Sequence, residues 1–459
     1  VSAGFEGRRL HLVGAGGAGM SGLALAAREL GAVVTGSDVA QSSYAERLAE
    51  AGIAVAIGHA AANVPADAEV VRSTAIGDDN PELAVARRRG QRIMHRSELL
   101  AELAATRPLC IAVAGAHGKT TTTAMIAHVL DRLGRDPSYF VGGEVTIGSR
   151  TANAHIGGGE IVVIEADESD GSFLRYRPQV AVITNIEFEH PETWSGLDQL
   201  LGAFREFVAP AADVIAPQAQ PRLDELELGA RGTTFALAPG NGDFVAHDVL
   251  TPSDPAGGTS FALDSTTVEL GVRGEHNVLN ALAALAALAR IGIAPAVAAP
   301  ELAGFRGVAR RFEHLGSSPQ GAEVYDDYAH HPTELRAAIA TARQSAGAGR
   351  VVVAYQPHLF SRALAYRREV GEALALADVV VVLDIYPARE DPADFPGITG
   401  WLVATDAADA ADGRPVHYAP TFDDAATLLR RVLEPGDLCL ALGAGTVIEL
   451  SRMLLAERD

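Results

Sequence analysis

Short apolar runs recur along the chain, each followed by a turn and then by apolar residues at helical spacing. The first run, residues 10–13, leads through glycines into a helical pattern over 22–30 and a fresh run at 32–35, the phrasing of a β-α-β unit. Predicted strands follow at 53–57, 69–72 and 92–94, with a predicted helix at 81–89. The pattern fades at Arg107-Pro108, where proline disfavours helix in the residue before it and marks a boundary. A second series opens with the buried-strand run 109–114, a helix over about 120–133, and strands at 161–164 and 180–184. Residues 211–270 are rich in Gly, Pro, Ala and Asp and carry only short pieces such as 233–236 and 267–270, which read as peripheral strands and loops. A helix at 277–290 closes the series. The third runs through 323–325, a helix at 332–341, a strand at 351–355, a helix near 363–377 and a strand at 379–384. It ends on 438–442 and the turn Gly443-Ala444-Gly445. Strands alternating with helices predict an α/β protein with doubly wound sheets, in three domains over 1–107, 108–313 and 314–459.

Composition narrows the classes. With 459 residues the chain is too long for one ordinary core, and 48% hydrophobic but only 5% aromatic residues leave Ala, Val, Leu and Ile to fill α/β layers. Against 58 acidic residues stand 37 Lys and Arg, a net charge of −21 with no basic run to override it, so nucleic acid and anionic membrane are unfavourable partners. Individual cations thereby become informative. Cys110 and Cys439 each sit in an apolar run, which argues against a disulfide framework and for a cytoplasmic setting. No segment resembles a signal peptide or spans a bilayer, and the longest apolar stretch, 281–289, reads as a core helix.

The strongest chemical signal is Gly115-Ala116-His117-Gly118-Lys119-Thr120-Thr121, set between a buried strand and a helix as a phosphate-binding loop requires. Backbone N–H groups and the helix N-terminus offer partial positive charge, Lys119 adds a full one, and Thr120 can bind magnesium. The strict GxxxxGK[ST] spacing would need glycine where Val113 stands, so the loop is a variant. The run 161–164 delivers Glu165 at a strand end, ahead of Asp167, Glu168 and Asp170, a carboxylate cluster suited to magnesium held with nucleotide phosphates. Strand 180–184 leads into Asn185-Ile186-Glu187-Phe188-Glu189-His190. Such strand ends lie side by side in a parallel sheet, where carboxylates and His190 can meet Lys119.

Gly14-Ala15-Gly16-Gly17-Ala18-Gly19 satisfies GxGxxG after a strand, and Asp38 lies where a ribose-binding acid is expected. The pattern fits a dinucleotide, another pyrophosphate compound, or a structural tight turn. No redox residues accompany it, which favours anchoring of a phosphorylated substrate over hydride transfer. An NAD-dependent dehydrogenase and a non-enzymatic nucleotide sensor are the rivals from other classes.

Eight ordered motifs carry a resemblance to a known family. They are HLVGAGGAGMSGLA with GSD at 36–38, GAHGKTTTT at 115–123, EADESDGSFL at 165–174, TNIEFEHPETW at 184–194, GEHNVLNALAA at 274–284, FRGVARRFE at 305–313, YDDYAHHPTE at 325–334 and QPHLFSR at 356–362. This set resembles the Mur ligases nearly end to end. The resemblance implies an N-terminal Rossmann-like domain, a central P-loop ATPase-type domain and a C-terminal Rossmann-like domain. It implies an ATP-dependent ligase that joins L-alanine to the lactoyl carboxylate of UDP-N-acetylmuramate, in the cytoplasm. A sister activity, attachment of a recovered peptide to the same sugar nucleotide, is the alternative.

By motif match, Gly14, Gly16, Gly17, Gly19 and Met20, with Asp38 nearby, would bind the UDP-sugar. The ATP contacts implied are Gly115, Ala116, His117, Gly118, Lys119, Thr120, Thr121, Asn277, Asn280, Arg311, Asp327 and His330. Thr120 and Glu165 would hold one magnesium ion and His190 a second, with Lys119, Glu165, His190 and Arg311 as the catalytic set. His358 and Arg362 would receive the amino acid. Departures are Ala15, Phe188-Glu189 and Thr446, the last putting a ligand role for the final glycine turn in doubt.

Overall fold

The structure, a computed structural model, describes residues 4–190, 193–252 and 257–456. Its first sheet contains β1 (Arg9–Val13), β2 (Val33–Asp38), β3 (Ala54–Ile57), β4 (Glu69–Arg72) and β5 (Ile93–His95), in the order β3-β2-β1-β4-β5. All its pairings are parallel. Helices α1 (Ala18–Glu29), α2 (Ser43–Glu50), α3 (Pro81–Arg89) and α4 (Arg96–Ala104) connect and flank these strands. Leu10, Leu12 and Val13 are buried because helices on the sheet's faces exclude water from them, which is why this strand reads as a continuous apolar run.

The second sheet has ten strands: β6 (Leu109–Ala114), β7 (Ser138–Ile147), β8 (Arg150–His155), β9 (Ile161–Glu165), β10 (Val180–Ile183), β11 (Asp213–Pro217), β12 (Gly232–Leu237), β13 (Phe244–Leu250), β14 (Ser260–Leu263) and β15 (Thr266–Glu269). Their order is β15-β14-β13-β12-β11-β10-β6-β9-β7-β8, so β6 lies between β10 and β9. Helices α5 (Lys119–Arg132), α6 (Leu197–Val208), α7 (Glu275–Arg290) and α8 (Pro295–Leu302) belong to this part of the chain. In α7, residues from Ala281 to Leu288 are all buried, as the apolar stretch predicts.

The third sheet comprises β16 (Glu313–Ser317), β17 (Glu323–Asp327), β18 (Val351–Tyr355), β19 (Val379–Val382), β20 (Val416–Tyr418) and β21 (Leu438–Leu442), in the order β16-β17-β21-β18-β19-β20. Only β16 runs antiparallel to its neighbour. Helices α9 (Pro332–Ala346), α10 (Phe360–Leu374), α11 (Trp401–Ala410), α12 (Phe422–Val432) and α13 (Ile448–Leu455) accompany it, with one apolar cluster on each face.

The three sheets fall into two compact units. The first spans Val1–Asp248, Phe261–Glu269 and Val278–Phe305; the second spans Val249–Ser260, Leu270–Asn277 and Arg306–Asp459. Two elements differ from their sequence reading in ways that bear on the site. Helix α1 starts at Ala18 rather than at 22, so the last glycine of the first motif lies inside the helix. The antiparallel pair β7–β8 was not predicted. Among the described residues no helix is long and apolar enough to cross a membrane.

Candidate functional site

The loop after β6 is flanked by the C-terminal ends of β9 and β10, since Val113 pairs with Glu165 and Ala114 with Ile183. This is the carboxyl edge where open parallel sheets bind ligands. Gly118, at φ 80°, turns the chain into α5, and a Cβ there would lie 2.4 Å from the Asn280 side-chain oxygen. That backbone region and that space admit only glycine comfortably. Thr122 Oγ1 donates to the same oxygen at 3.2 Å, so Asn280 packs directly against the loop.

Asn185 clamps the loop from the other side. Its Oδ1 accepts from His117 N at 3.0 Å and its Nδ2 donates to the His117 carbonyl at 2.9 Å, while Thr184 Oγ1 also donates to that carbonyl. Neither Asn185 nor Thr184 was singled out from sequence; the strand-end position of the TN pair was the available signal.

Lys119 Nζ donates to the Gly115 carbonyl at 2.6 Å and to the two Glu168 oxygens at 2.8 and 3.1 Å. Burial works to lower the ammonium's pKa, but the charges of Glu168, Asp167 and Glu165 outweigh it, so Lys119 stays protonated above the ordinary lysine range. Thr120 Oγ1 donates to Glu165 Oε1 at 3.1 Å, and Gly142 N donates to Glu165 Oε2 at 2.6 Å. A hydroxyl and a carboxylate oxygen this close suit a hard, oxygen-seeking cation such as magnesium.

The rest of the expected carboxylate cluster is divided. Glu168 serves Lys119, whereas Asp167 and Asp170 face Arg96 at 3.2 and 3.7 Å. Arg96 was not foreseen as their partner. A cavity of about 610 Å³ opens beside them, lined by Arg72, Thr74, His95, Asp170 and Arg175 among others. His190 lies in the loop after β10 at φ 62°, its carbonyl accepting from Thr193 and Trp194. Pro191 and Glu192, part of the same motif, are outside the described residues.

In the first glycine motif, the N–H groups of Gly14 and Ala15 both donate to the Ser37 carbonyl at 2.9 Å. Gly16 N donates to Asp38 Oδ2 at 2.7 Å, so the acid at the end of β2 shapes the turn itself. Gly17 caps α1 without any side-chain acceptor, leaving the first-turn N–H groups of a helix open to an anion. Gly19 is in that first turn. Met20 follows it, 2% exposed and part of the apolar core.

The second unit holds Asn277, Arg311, Asp327, His330, His358 and Arg362. Asn277 Nδ2 donates to the Arg273 carbonyl at 2.6 Å. Arg311 pairs with Glu334 at 3.4 Å and lies over the Tyr328 ring. Asp327, at the end of β17, accepts from Phe312 N and Ala329 N, and burial raises its pKa to about 6. His330 donates its own N–H to Glu334, and its ring centre is 5.9 Å from that of His358. Burial, helped by the charges of His330 and Arg362, lowers His358 to about 3, so its ring is neutral at ordinary pH. Arg362 lies in the first turn of α10.

Arg310 has no sequence signal that sets it apart from its neighbour Arg311. Its guanidinium donates to the carbonyls of Gly443 and Gly445 at 2.8 and 3.0 Å and to Asp326 at 2.9 Å. The final glycine turn therefore presents carbonyls to an arginine.

Three successive segments match known families: residues 9–108 the Mur ligase family catalytic domain, 113–288 the Mur ligase middle domain, and 310–445 the Mur ligase glutamate ligase domain. The chain belongs to the Mur ligase family. Among relatives of this Mur ligase, the UDP-N-acetylmuramate--L-alanine ligase of Kineococcus radiotolerans is 45% identical, over 98% of this chain and 97% of that protein. The protein of the same name from Rubrobacter xylanophilus is 44% identical over 98% and 99%. Among solved structures, the UDP-N-acetylmuramate-alanine ligase of Thermotoga maritima superposes with a TM-score of 0.82 at 30% identity, covering 97% of this chain and 98% of that one. A murein peptide ligase from Psychrobacter arcticus gives 0.70 at 25% identity, with 98% of each chain covered.

Proposed function

We propose that this Mur ligase joins L-alanine to the lactoyl carboxylate of UDP-N-acetylmuramate, converting ATP to ADP and phosphate, in the cytoplasmic assembly of peptidoglycan precursors. The observation that carries the reading is the loop 115–121, with Lys119 and Thr120 at a carboxyl sheet edge, in a chain that aligns end to end with ligases of that name.

A carboxylate resists attack by an amine because its oxide is a poor leaving group. Transfer of the terminal phosphoryl of ATP makes an acyl phosphate, which the alanine amine then attacks, expelling phosphate. The backbone of 115–118 and Lys119 bind the triphosphate, and Lys119 with Arg311 counters charge on the moving phosphoryl, the positioning and electrostatic work that dominates such transfers. Asn277 and Asn280 face the adenine end, Asp327 and His330 complete the nucleotide contacts, and His358 and Arg362 receive the amino acid. Gly14 to Gly19 face the diphosphate of the sugar nucleotide, with Met20 and Asp38 beside them. Thr120 and Glu165, with His190 on a second ion, would hold magnesium, which when bound supplies further positive charge to the phosphates.

A coupled ADP-release assay with UDP-N-acetylmuramate tests this. L-alanine should support turnover and an L-alanyl tripeptide should not; the reverse outcome would establish the recycling activity. Lys119→Ala should lower turnover by about a thousandfold or more, and near-normal rates in that variant reject the loop assignment.

A further inference from the structure

Beneath the first glycine turn lies a buried polar network that the ligase reaction as described does not use. Glu82, in the first turn of α3, is fully buried, and so is Ser37 at the end of β2. Ser37 Oγ donates to Glu82 Oε2 at 2.5 Å. Asn63 Nδ2 and Ala60 N donate to Glu82 Oε1 at 2.6 and 3.1 Å. The rings of His11 and His59 approach Oε2, each at 3.5 Å. With its single proton given to Glu82, Ser37 Oγ accepts from His59 Nδ1 at 3.0 Å.

A buried carboxylate is a poor choice for stability alone, since an apolar side chain of similar volume would avoid the cost of removing a charge from water. Its placement gives the charge another use. The Ser37 carbonyl receives Gly14 N and Ala15 N, and the next residue, Asp38, receives Gly16 N. Gly58 N, beside the segment that Glu82 holds through Ala60 and Asn63, donates to the Asp38 carbonyl at 2.7 Å. One carboxylate thus pins the ends of β2 and β3, and through them three successive N–H groups of the turn.

We infer that Glu82 is a positioning residue for the sugar-nucleotide site, acting through Ser37 to hold the first glycine turn in the shape that receives the diphosphate. This rests on the functional reading above for the identity of the ligand. Glu82→Gln is the discriminating change: an NH₂ in place of Oε1 opposes the Asn63 and Ala60 donors, and in place of Oε2 it forces the Ser37 hydroxyl to reverse and His59 to change tautomer.

The test compares wild type and Glu82→Gln by steady-state kinetics for each of the three substrates, alongside calorimetric titration with UDP. The expected result is a rise of about tenfold or more in KM for UDP-N-acetylmuramate, with kcat and the other two KM values within about twofold, and a matching loss of UDP affinity. An unchanged KM for the sugar nucleotide overturns the inference, as does a parallel rise for all three substrates. Should the variant fail to fold, Ser37→Ala decides by the same split, with a rise of about threefold or more expected and no change refuting it. If wild type binds UDP but forms no alanine adduct, the functional reading fails while the UDP titration of the variants still decides this one. A wild type that does not bind UDP overturns both.

Discussion

Lys119 is gripped by the Gly115 carbonyl and by Glu168. Because Glu168 holds the ammonium proposed to bind the triphosphate, Glu168→Gln should alter KM for ATP more than KM for L-alanine, by about threefold to tenfold in steady-state assays. Glu82 makes a prediction about pH. Its burial favours the neutral acid, but bonds from His11, Ser37, Asn63 and Ala60 outweigh that and hold its pKa down at about 2, against 4.5 unperturbed. A depressed carboxylate contributes stability that is complete above the unfolded value and is lost as pH falls through 4.5 towards 2, about 3 kcal/mol in all. Denaturation midpoints measured at pH 7 and pH 3 should fall together more steeply for wild type than for Glu82→Gln. Lys119, Thr120 and Glu165 were legible as residue types following buried strands. Glu82 was not, because in sequence it is one more acid at a helix start; only folding brings Ser37, His59 and Asn63 to it.

At the level of elements, the junction of β6 and α5 depends on a left-handed residue at Gly118. Gly118→Ala adds about 1–2 kcal/mol of backbone cost and pushes a methyl at Asn280, so thermal stability should drop and KM for ATP should rise. Calorimetry with and without an ATP analogue separates the two effects. Elements buried on both faces were readable from sequence, as β1, β6 and β18 illustrate. The pair β7–β8 was hidden for a physical reason. Its pattern is broken where the register shifts between Phe140 and Val145, across Gly142 and Gly143, so neither strand shows a clean alternation. The start of α1 was misread because glycines at 17 and 19 look like turn, although the helix is set by burial of Met20, Leu23 and Ala24. The carboxylate cluster at 165–170 was legible as composition but not as partition, since Arg96 comes from a distant part of the chain.

On the scale of the whole molecule, the first two sheets share one compact unit, and α1 is one of the elements that join them. It packs on β8, where Asn153 donates to the Ala18 carbonyl and a Cβ on Gly22 would lie 2.9 Å from the Ala154 methyl. Arg47 with Glu144 and Arg175 with Glu98 add ion pairs across the same unit. Gly22→Val should therefore overpack this seam and cost about 1–3 kcal/mol, read as a lower denaturation midpoint. In the second unit, Arg310 offers a consequence of its own. It is tethered to the carbonyls that follow β21 while its neighbour Arg311 carries the charge proposed to act in phosphoryl transfer. Two chain segments some 130 residues apart are thus riveted at one point. A polypeptide ending before Gly443 would still contain Arg311 and the Arg310–Asp326 pair, yet would have lost the two carbonyls that complete the hold on its neighbour.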